Sequence, residues 1–198
     1  MEHPVLTLHG RRSVRMRGYD YGQTGAYFVT VCAAGRECLF GEVVGDEMHS
    51  SKAGEIVAEE WLRCAFLRPR VTLDAFVVMP NHLHGILVLD DEGRGTVHRA
   101  PTSEAFGKPT SDTVPTIVRY FKAATTRRIN LWRGTPAAGV WQRGYYEHVV
   151  SDEASLSRLR EYIQSNLLRW ALDRENPELQ ARSSSERGSR GPRKGRLR

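Results

Sequence analysis

Two histidines separated by one apolar residue, in the run His82-Leu83-His84, are the residues of this chain best suited to chemistry. They lie in an apolar, β-branched segment that predicts a strand, and side chains two positions apart point to the same face of a strand. Two imidazoles on one face, with Leu83 directed into the core, can supply two ligands of a divalent metal site that keeps other positions open. A histidine pair this close also occurs by chance in many proteins, so the pair alone does not establish a metal site.

A tyrosine and an asparagine near the end of the chain, Tyr162 and Asn166, form the second group of interest. The surrounding segment predicts a helix, because its apolar residues recur at helical spacing: Leu156, Leu159, Ile163, Leu167 and Trp170. Tyr162 and Asn166 are one turn apart on one flank of that apolar stripe. An amide oxygen can be a third metal ligand, and a phenol beside it can act as a nucleophile. The alternative is a boundary tyrosine and a helix-end asparagine, both of which are common.

The positive charge of the chain is concentrated at its two ends. Of the net charge of +6, the segment from Arg174 to Arg198 contributes +5, with eight Arg and Lys side chains against three Glu. Near the N-terminus, a single acidic residue, Glu2, opposes four arginines: Arg11, Arg12, Arg15 and Arg17. Basic arms of this kind attract polyanions such as nucleic acid in a salt-dependent way. A solvated tail that only aids solubility would have the same composition.

Composition and length exclude several classes of protein. A chain of 198 residues with 40% hydrophobic residues suits one globular domain. No apolar run approaches the roughly 20 residues that a membrane span needs, and the N-terminus lacks the pattern of a signal peptide. The cysteines Cys32, Cys38 and Cys64 are odd in number and widely spaced, which argues against a disulfide framework and for a reducing cytoplasm.

Strands and helices alternate along the chain, so the pattern predicts an α+β domain around one antiparallel sheet. The predicted strands are 26–33, a short strand within 39–48 with a turn near Gly45-Asp46, 71–79, 82–89 and 145–150. The predicted helices are 52–67 with Ser51 as N-cap, 115–132, and a last helix from about 152 to 172. Residues 90–113 are predicted to be a loop or insertion. We divide the chain into a basic arm at 1–17, a domain at 18–177 and a basic tail at 178–198.

Three motifs, in order, resemble those of the REP-associated tyrosine transposases. Their M-P-N-H-x-H signature matches Met79-Pro80-Asn81-His82-Leu83-His84, and a W-Q-R segment with paired aromatics and a histidine matches 141–148. Their Y-I-x-x-N motif matches Tyr162-Ile163-Gln164-Ser165-Asn166. These proteins are related to the single-tyrosine transposases of small bacterial insertion sequences, within the HUH (His-hydrophobe-His) nuclease superfamily. One departure is that Leu167 follows Asn166, where the family usually has proline.

The resemblance implies a metal-dependent endonuclease or transposase acting on single-stranded or hairpin DNA. Tyr162 would be the nucleophile that forms a 5′-phosphotyrosine, and His82, His84 and Asn166 would hold Mg²⁺ or Mn²⁺. Tyr145 and Tyr146 are rival nucleophiles, which we interpret as packing or base-stacking residues. His148 is the rival third ligand. The fold implied is a ferredoxin-like domain, with His82 and His84 on a core strand of an antiparallel sheet and helices packed on it.

The basic residues expected to contact DNA phosphates are Arg11, Arg12, Arg15, Arg119, Lys122, Arg127, Arg128 and Arg143, with Trp141 or Tyr145 stacking on exposed bases. For each of them a solvated surface position is the alternative. A hairpin-DNA-binding protein that no longer transposes is the second functional hypothesis. A metal-dependent hydrolase unrelated to DNA is the third, disfavoured because no carboxylate lies beside the histidine pair to act as a general base. The expected location is the cytoplasm, in association with the nucleoid, and a homodimer is an open alternative to a monomer.

Overall fold

Six strands and three helices make up the part of the chain that the structure, a computed structural model, describes: residues 19–91, 112–173 and 176–177. The strands are β1 (Gly25–Cys32), β2 (Gly41–Val44), β3 (Glu47–Ser50), β4 (Val71–Met79), β5 (His82–Leu89) and β6 (Tyr146–Val150). The helices are α1 (Lys52–Phe66), α2 (Val114–Arg133) and α3 (Glu153–Gln164). The predicted basic arm, the basic tail and most of the predicted loop at 90–113 lie outside the described residues.

Four strands form one fully antiparallel sheet in the order β4-β5-β1-β6. With α1 between β1 and β4, and α2 between β5 and β6, the chain follows the βαββαβ order of a ferredoxin-like domain. The short β2–β3 hairpin is inserted between β1 and α1. The predicted fold class, α+β and ferredoxin-like with helices packed on an antiparallel sheet, is confirmed.

Local sequence signals fix where the helices begin. Ser51, Thr113 and Asp152 are the N-caps of α1, α2 and α3, and each side chain accepts a hydrogen bond from a backbone N–H of the first turn. Pro115 lies in the first turn of α2, where its missing N–H costs nothing. The helix ends at Gly134, whose φ of 64° is the left-handed conformation that glycine adopts most easily.

The two faces of the sheet are covered differently. Leu83, Leu87 and Leu89 of β5 point to one face, where α1 and α2 build the main core. Gly85 lies on this face, and a β-carbon there would collide with the indole of Trp61, so the glycine allows α1 to approach the sheet closely. The alternate residues of β5, including His82 and His84, point to the opposite face, which α3 covers.

The prediction that the last helix runs from about 152 to 172 is wrong at its C-terminal end. Regular α-helix ends at Gln164, and a tighter 3₁₀ helix follows from Leu167 to Leu172. Its i to i+3 hydrogen bonds advance three residues per turn, so the apolar stripe expected for a continuous α-helix is redirected. Within this segment Leu167 and Trp170 of the predicted stripe are half-buried, whereas Leu168 and Leu172 are exposed.

Candidate active site

His82 and His84 lie side by side at the start of β5, one of the two inner strands of the sheet. They face α3 because β5 alternates, and Leu83 between them is fully buried on the other face. Their Nε2 atoms are 3.0 Å apart. Both rings are almost completely enclosed, with 0% and 4% of their surfaces exposed.

Each histidine is held through its other ring nitrogen. The Nδ1 of His82 is 2.8 Å from the side-chain oxygen of Asn81, and the Nδ1 of His84 is 2.7 Å from the hydroxyl of Thr30. Thr30 reaches His84 because the two residues are directly paired across β1 and β5. The ring of His84 also stacks on Phe28 of the same strand, with centroids 5.4 Å apart. The second nitrogen of each ring is therefore directed towards its neighbour.

The helix α3 brings Tyr162 onto this pair. Its hydroxyl is 3.3 Å from the Nε2 of His84, and its ring meets those of His84 and Phe28 edge to face. Ile163, the next residue, is buried against Phe28 and Ile86 and anchors the helix to the sheet. Tyr162 and both histidines thus come together within a single chain.

Asn166 lies just beyond the end of α3 and is 2% exposed. Within the described part of the chain, its side-chain oxygen is buried and receives no hydrogen bond. Such an oxygen costs free energy unless something else satisfies it. Four residues on, Trp170 packs its indole against the ring of His82, with centroids 6.1 Å apart. The segment after α3 therefore covers the histidine pair.

Burial governs the protonation of both histidines. Burial first, and the positive charge of Arg36 second, lower the pKa of His82 to about 3. Burial, followed by the neighbouring His82, also holds the pKa of His84 well below its ordinary value. Both rings are therefore neutral at physiological pH, and the neutral imidazole is the form that binds metal ions.

These residues fit a divalent metal ion. Two nitrogens bound at about 2.1 Å and at a right angle to each other on one ion would be about 3.0 Å apart, which matches the separation of the two Nε2 atoms. The unsatisfied oxygen of Asn166 is of the kind that Mg²⁺ and Mn²⁺ accept. Within the described residues no group of three or more His, Cys, Asp or Glu side chains could hold an ion, which leaves the two imidazoles and the Asn166 amide as candidate donors.

The alternative nucleophiles, Tyr145 and Tyr146, and the alternative third ligand, His148, have different neighbours from Tyr162. The hydroxyl of Tyr145 donates to the carboxylate of Glu147 at 2.6 Å, on the α2 side of the sheet. Tyr146 packs edge to face on Phe28, and burial raises the pKa of its phenol, which disfavours the nucleophilic phenolate. His148 is exposed on β6. Tyr145 and Tyr146 pack against these neighbours, whereas the hydroxyl of Tyr162 contacts His84.

The predicted DNA-contacting residues are distributed unevenly. Arg119, Arg127 and Arg143 are exposed. Lys122 instead donates to the backbone carbonyls of Gln142 and Gly144, and Arg128 forms ion pairs with glutamates of α1. These contacts give Lys122 and Arg128 structural partners that their surface-helix pattern did not indicate. Arg11, Arg12 and Arg15 lie outside the described residues.

A groove of about 920 Å³ runs between the C-terminal half of α2 and the segment that leads to β6. Three basic side chains and one indole line it: Lys122, Arg127, Arg143 and Trp141. The backbone N–H of Gln142 in this groove donates to the carbonyl of Cys32, and Cys32 pairs with His82 across the sheet. One end of the groove is therefore next to the strand ends that carry the histidine site.

Sequence reasoning missed three residues around the histidines. Asn81 was noted only as part of the transposase-like motif, Trp170 only as part of an apolar stripe, and Thr30 only as a position within a predicted strand. Strand pairing could have pointed to Thr30 once the register of β1 and β5 was known. The contact between Trp170 and His82 depends on the 3₁₀ segment, which the pattern did not predict.

Comparison with known proteins begins with the fold. No protein-family model matches the chain. A solved structure, a REP-associated tyrosine transposase bound to a REP hairpin, aligns at 20% identity and a TM-score of 0.54, covering 80% of this chain and 74% of that one. The chain thus has the fold of a REP-associated tyrosine transposase, in agreement with its motifs. A candidate transposase from Deinococcus radiodurans is a weaker match, 18% identical over 76% of this chain and 95% of that one with a TM-score of 0.42.

A relative with a similar sequence shows the family of the chain. A protein of Haemophilus influenzae, itself uncharacterized, is 38% identical over 169 residues, which cover 84% of this chain and 93% of the relative. The chain belongs to the same family as that protein. No helix within the described ranges has both the length and the apolar character to cross a membrane.

Proposed function

We propose that the protein is a transposase that cuts and rejoins single-stranded DNA at hairpin or repeat sites through a phosphotyrosine intermediate. The observation that carries the proposal is the position of the Tyr162 hydroxyl, 3.3 Å from His84 Nε2 and beside His82. A phenol placed at the convergence of two neutral, buried imidazoles can attack a phosphate held there. All these side chains come from one chain, so the proposed site does not require a second copy.

His82, His84 and Asn166 would hold a divalent ion, Mg²⁺ or Mn²⁺. Bound there, the ion would supply Lewis-acid polarisation of a phosphate oxygen. The fixed rings exclude water from the centre of the site and keep both Nε2 atoms directed at one point. Trp170 covers His82 on one side, and Phe28 supports His84 on the other.

The chemical step exchanges one phosphate ester for another. The oxygen of Tyr162 forms a bond to phosphorus, and the bond from phosphorus to the 3′ oxygen breaks. The phenol gives up its proton to solvent, and the departing 3′ oxygen takes one up, which leaves a 5′-phosphotyrosine and a free 3′-OH. Because the ester is conserved, the reverse attack by a 3′-OH rejoins the strand.

We propose that the groove beside α2 also contacts the DNA, on the sheet face opposite the histidine side chains and next to the strand ends that carry them. Arg127 and Arg143 at its rim would neutralise phosphates, with Arg119 further along the helix, and the indole of Trp141 would support a base. The neighbouring structure holds a REP hairpin, and we extend hairpin DNA to this chain as its proposed ligand. Such a ligand implies action in the cytoplasm, at the nucleoid.

The deciding experiment incubates the protein with single-stranded hairpin oligonucleotides from its own genomic flanks, with Mn²⁺, and looks for a covalent adduct on a denaturing gel. Tyr162→Phe should abolish the adduct while leaving DNA affinity within a few-fold, because only the attacking oxygen is lost. Tyr146→Phe is the matched control and should still form it. An adduct that survives in Tyr162→Phe but not in Tyr146→Phe would show that the nucleophile is misassigned.

A further inference from the structure

The side chain of Asn81 lies between a backbone carbonyl and the ring of His82. Its Nδ2 is 3.0 Å from the carbonyl oxygen of Arg36, 45 residues earlier in the chain. A carbonyl oxygen can only accept hydrogen bonds, so the nitrogen of the amide must face it. Arg36 itself has a φ of 58°, a left-handed conformation uncommon outside glycine. The orientation of the amide is thereby fixed from outside the histidine pair.

The fixed amide determines where His82 carries its proton. With Nδ2 directed at Arg36, the amide oxygen faces the Nδ1 of His82 at 2.8 Å. That oxygen is only an acceptor, so Nδ1 must be the protonated nitrogen of the neutral ring. The Nε2 of His82 is then left with a lone pair, which is the state needed to bind a metal ion.

His84 has a partner of a different kind. Its Nδ1 is 2.7 Å from the hydroxyl of Thr30, and a hydroxyl can either donate or accept. The Nε2 atom of His84 is 3.0 Å from the Nε2 atom of His82, which carries a lone pair. Two lone pairs facing each other at that distance repel, so without a cation the Nε2 of His84 must carry a proton and donate it to His82.

An unbroken run of hydrogen bonds follows for the metal-free protein. The Thr30 hydroxyl donates to His84, His84 donates to His82, His82 donates to Asn81, and Asn81 donates to the carbonyl of Arg36. For both Nε2 atoms to serve as ligands, the shared proton would have to leave the Nε2 of His84. The proton would move to Nδ1 of His84, and Thr30 would turn from donor to acceptor, so no proton is gained or lost.

We propose that the two histidines are prepared for metal in different ways, His82 locked in its binding tautomer by Asn81 and His84 switched into it, when the ion arrives, by reversal of its hydrogen bond with Thr30. Asn81 and Thr30 are therefore positioning residues. The metal-bound half of this statement rests on the proposed function, whereas the metal-free half does not. The general role of such outer partners is to fix the tautomer and orientation of the ligand ring.

The tautomers can be read directly from side-chain ¹⁵N chemical shifts of the whole protein, because protonated and bare ring nitrogens differ widely. His82→Gln and His84→Gln would assign the signals. In EDTA we expect a proton on Nδ1 of His82 and on Nε2 of His84. With Zn²⁺ as a diamagnetic probe, His82 should keep its tautomer and His84 should change to Nδ1–H. A proton on Nε2 of His82, or an unchanged His84 in the loaded protein, would overturn the proposal.

Matched variants separate positioning from simple packing. Thr30→Val keeps the branched shape but has no hydroxyl, and should lower Mn²⁺ affinity by roughly 10- to 100-fold. Thr30→Ser restores the hydroxyl and should recover most of that affinity, although it loses the methyl group. Asn81→Leu should release the lock, so that His82 populates both tautomers in EDTA. Equal Mn²⁺ affinity in Thr30→Val and wild type would reject the role of Thr30.

Failure of the tautomer proposal and failure of the proposed function give different results. Metal-free tautomers are measured without DNA and without cleavage, so they decide the role of Asn81 even in a protein that forms no adduct. If no divalent ion binds, the switching of His84 is rejected together with the metal site. If the tautomers behave as expected but no adduct forms on any hairpin, the error lies in the assigned reaction. A thermal unfolding curve for each variant identifies any that do not fold.

Discussion

The two faces of the central sheet differ in what they bury. On the face of α1 and α2, large apolar side chains interlock, with Trp61 and Phe121 in edge-to-face contact 5.3 Å apart. On the face of α3, the buried apolar cluster among the described residues is small, consisting of Phe28, Ile86 and Ile163, and the same face holds two buried histidines. One face is therefore mainly apolar, and the other carries the candidate site.

This difference shows how a small domain can accommodate a costly site. Burying an imidazole pair and an unpartnered amide oxygen opposes folding. The core under α1 and α2 offsets that cost, because both faces belong to the same four strands. Substitutions on the α1 and α2 face should therefore change mainly the free energy of unfolding. Substitutions on the α3 face should change mainly the rate of the proposed reaction.

The largest effect on reaction is expected from the histidines. His82→Ala or His84→Ala should abolish adduct formation at every pH and at any reasonable Mg²⁺ concentration, since one remaining imidazole cannot orient the phosphate. Denaturing gels measure the adduct, and circular dichroism checks that the variants remain folded. A folded His84→Ala protein that still cleaves would contradict the assignment of the site.

The largest effect on stability is expected on the opposite face. Trp61→Ala should lower the free energy of unfolding by about 3–5 kcal/mol, because it removes a fully buried indole and leaves a cavity. Urea unfolding measures this loss. At low temperature the fraction that remains folded should still form the adduct. Loss of the adduct in a folded Trp61→Ala protein would show that the two faces are not separable.

Much of the fold could be predicted from the sequence because its signals are local. The limits predicted for the strands at 71–79 and 82–89 agree with β4 and β5, since a proline and an asparagine separate two β-branched runs. The strand alternation that predicted a shared face for His82 and His84 was equally local. The motif resemblance added the ferredoxin-like arrangement, which alternation alone could not specify.

The surroundings of the site could not be predicted because they depend on distant pairs. Thr30 is 54 residues from His84, and Arg36 is 45 residues from Asn81, so only the strand register brings them together. The end of α3 was missed for a related reason. Apolar residues continue beyond Gln164 at helical spacing, and the pattern does not reveal that the chain tightens there to cover His82.

Acid should lower the free energy of unfolding because of the two buried histidines on the α3 face. The unfolded chain takes up protons on histidine near pH 6.5, whereas burial lowers the pKa of His82 to about 3 and that of His84 well below its ordinary value. Between the lowered pKa of the folded state and pH 6.5, the unfolded state binds more protons than the folded state. The free energy of unfolding is therefore highest above pH 6.5 and decreases as the pH falls towards 3. Urea unfolding in EDTA at several pH values measures this slope. His82→Gln should flatten it, and an unchanged slope in that variant would count against burial of a neutral His82.

The ion pair that holds α3 against the sheet should have a smaller effect on the reaction. Besides its apolar contacts, the helix is tied to β4 by Arg160, whose guanidinium donates to both carboxylate oxygens of Asp74. The strand is irregular at this point, with a register shift between Leu73 and Phe76. Arg160 lies two residues before Tyr162, so this ion pair restrains the part of the helix that positions the phenol.

Arg160→Ala should reduce the rate of adduct formation several-fold while changing the free energy of unfolding by no more than about 1 kcal/mol, as expected for a pair that is partly exposed to water. The reason is that α3 would spend more time away from the sheet, and Tyr162 would then lose its contact with His84, whereas the core under α1 and α2 stays intact. Salt should act in the same direction, because it screens this pair, so the wild-type rate should approach that of Arg160→Ala in high salt when DNA is saturating. Arg158→Ala is the control, since Arg158 is exposed on the same helix and bonds only locally to Ser155 among the contacts described. If Arg158→Ala slows the reaction as much as Arg160→Ala, the effect belongs to the charge of the helix and not to its attachment.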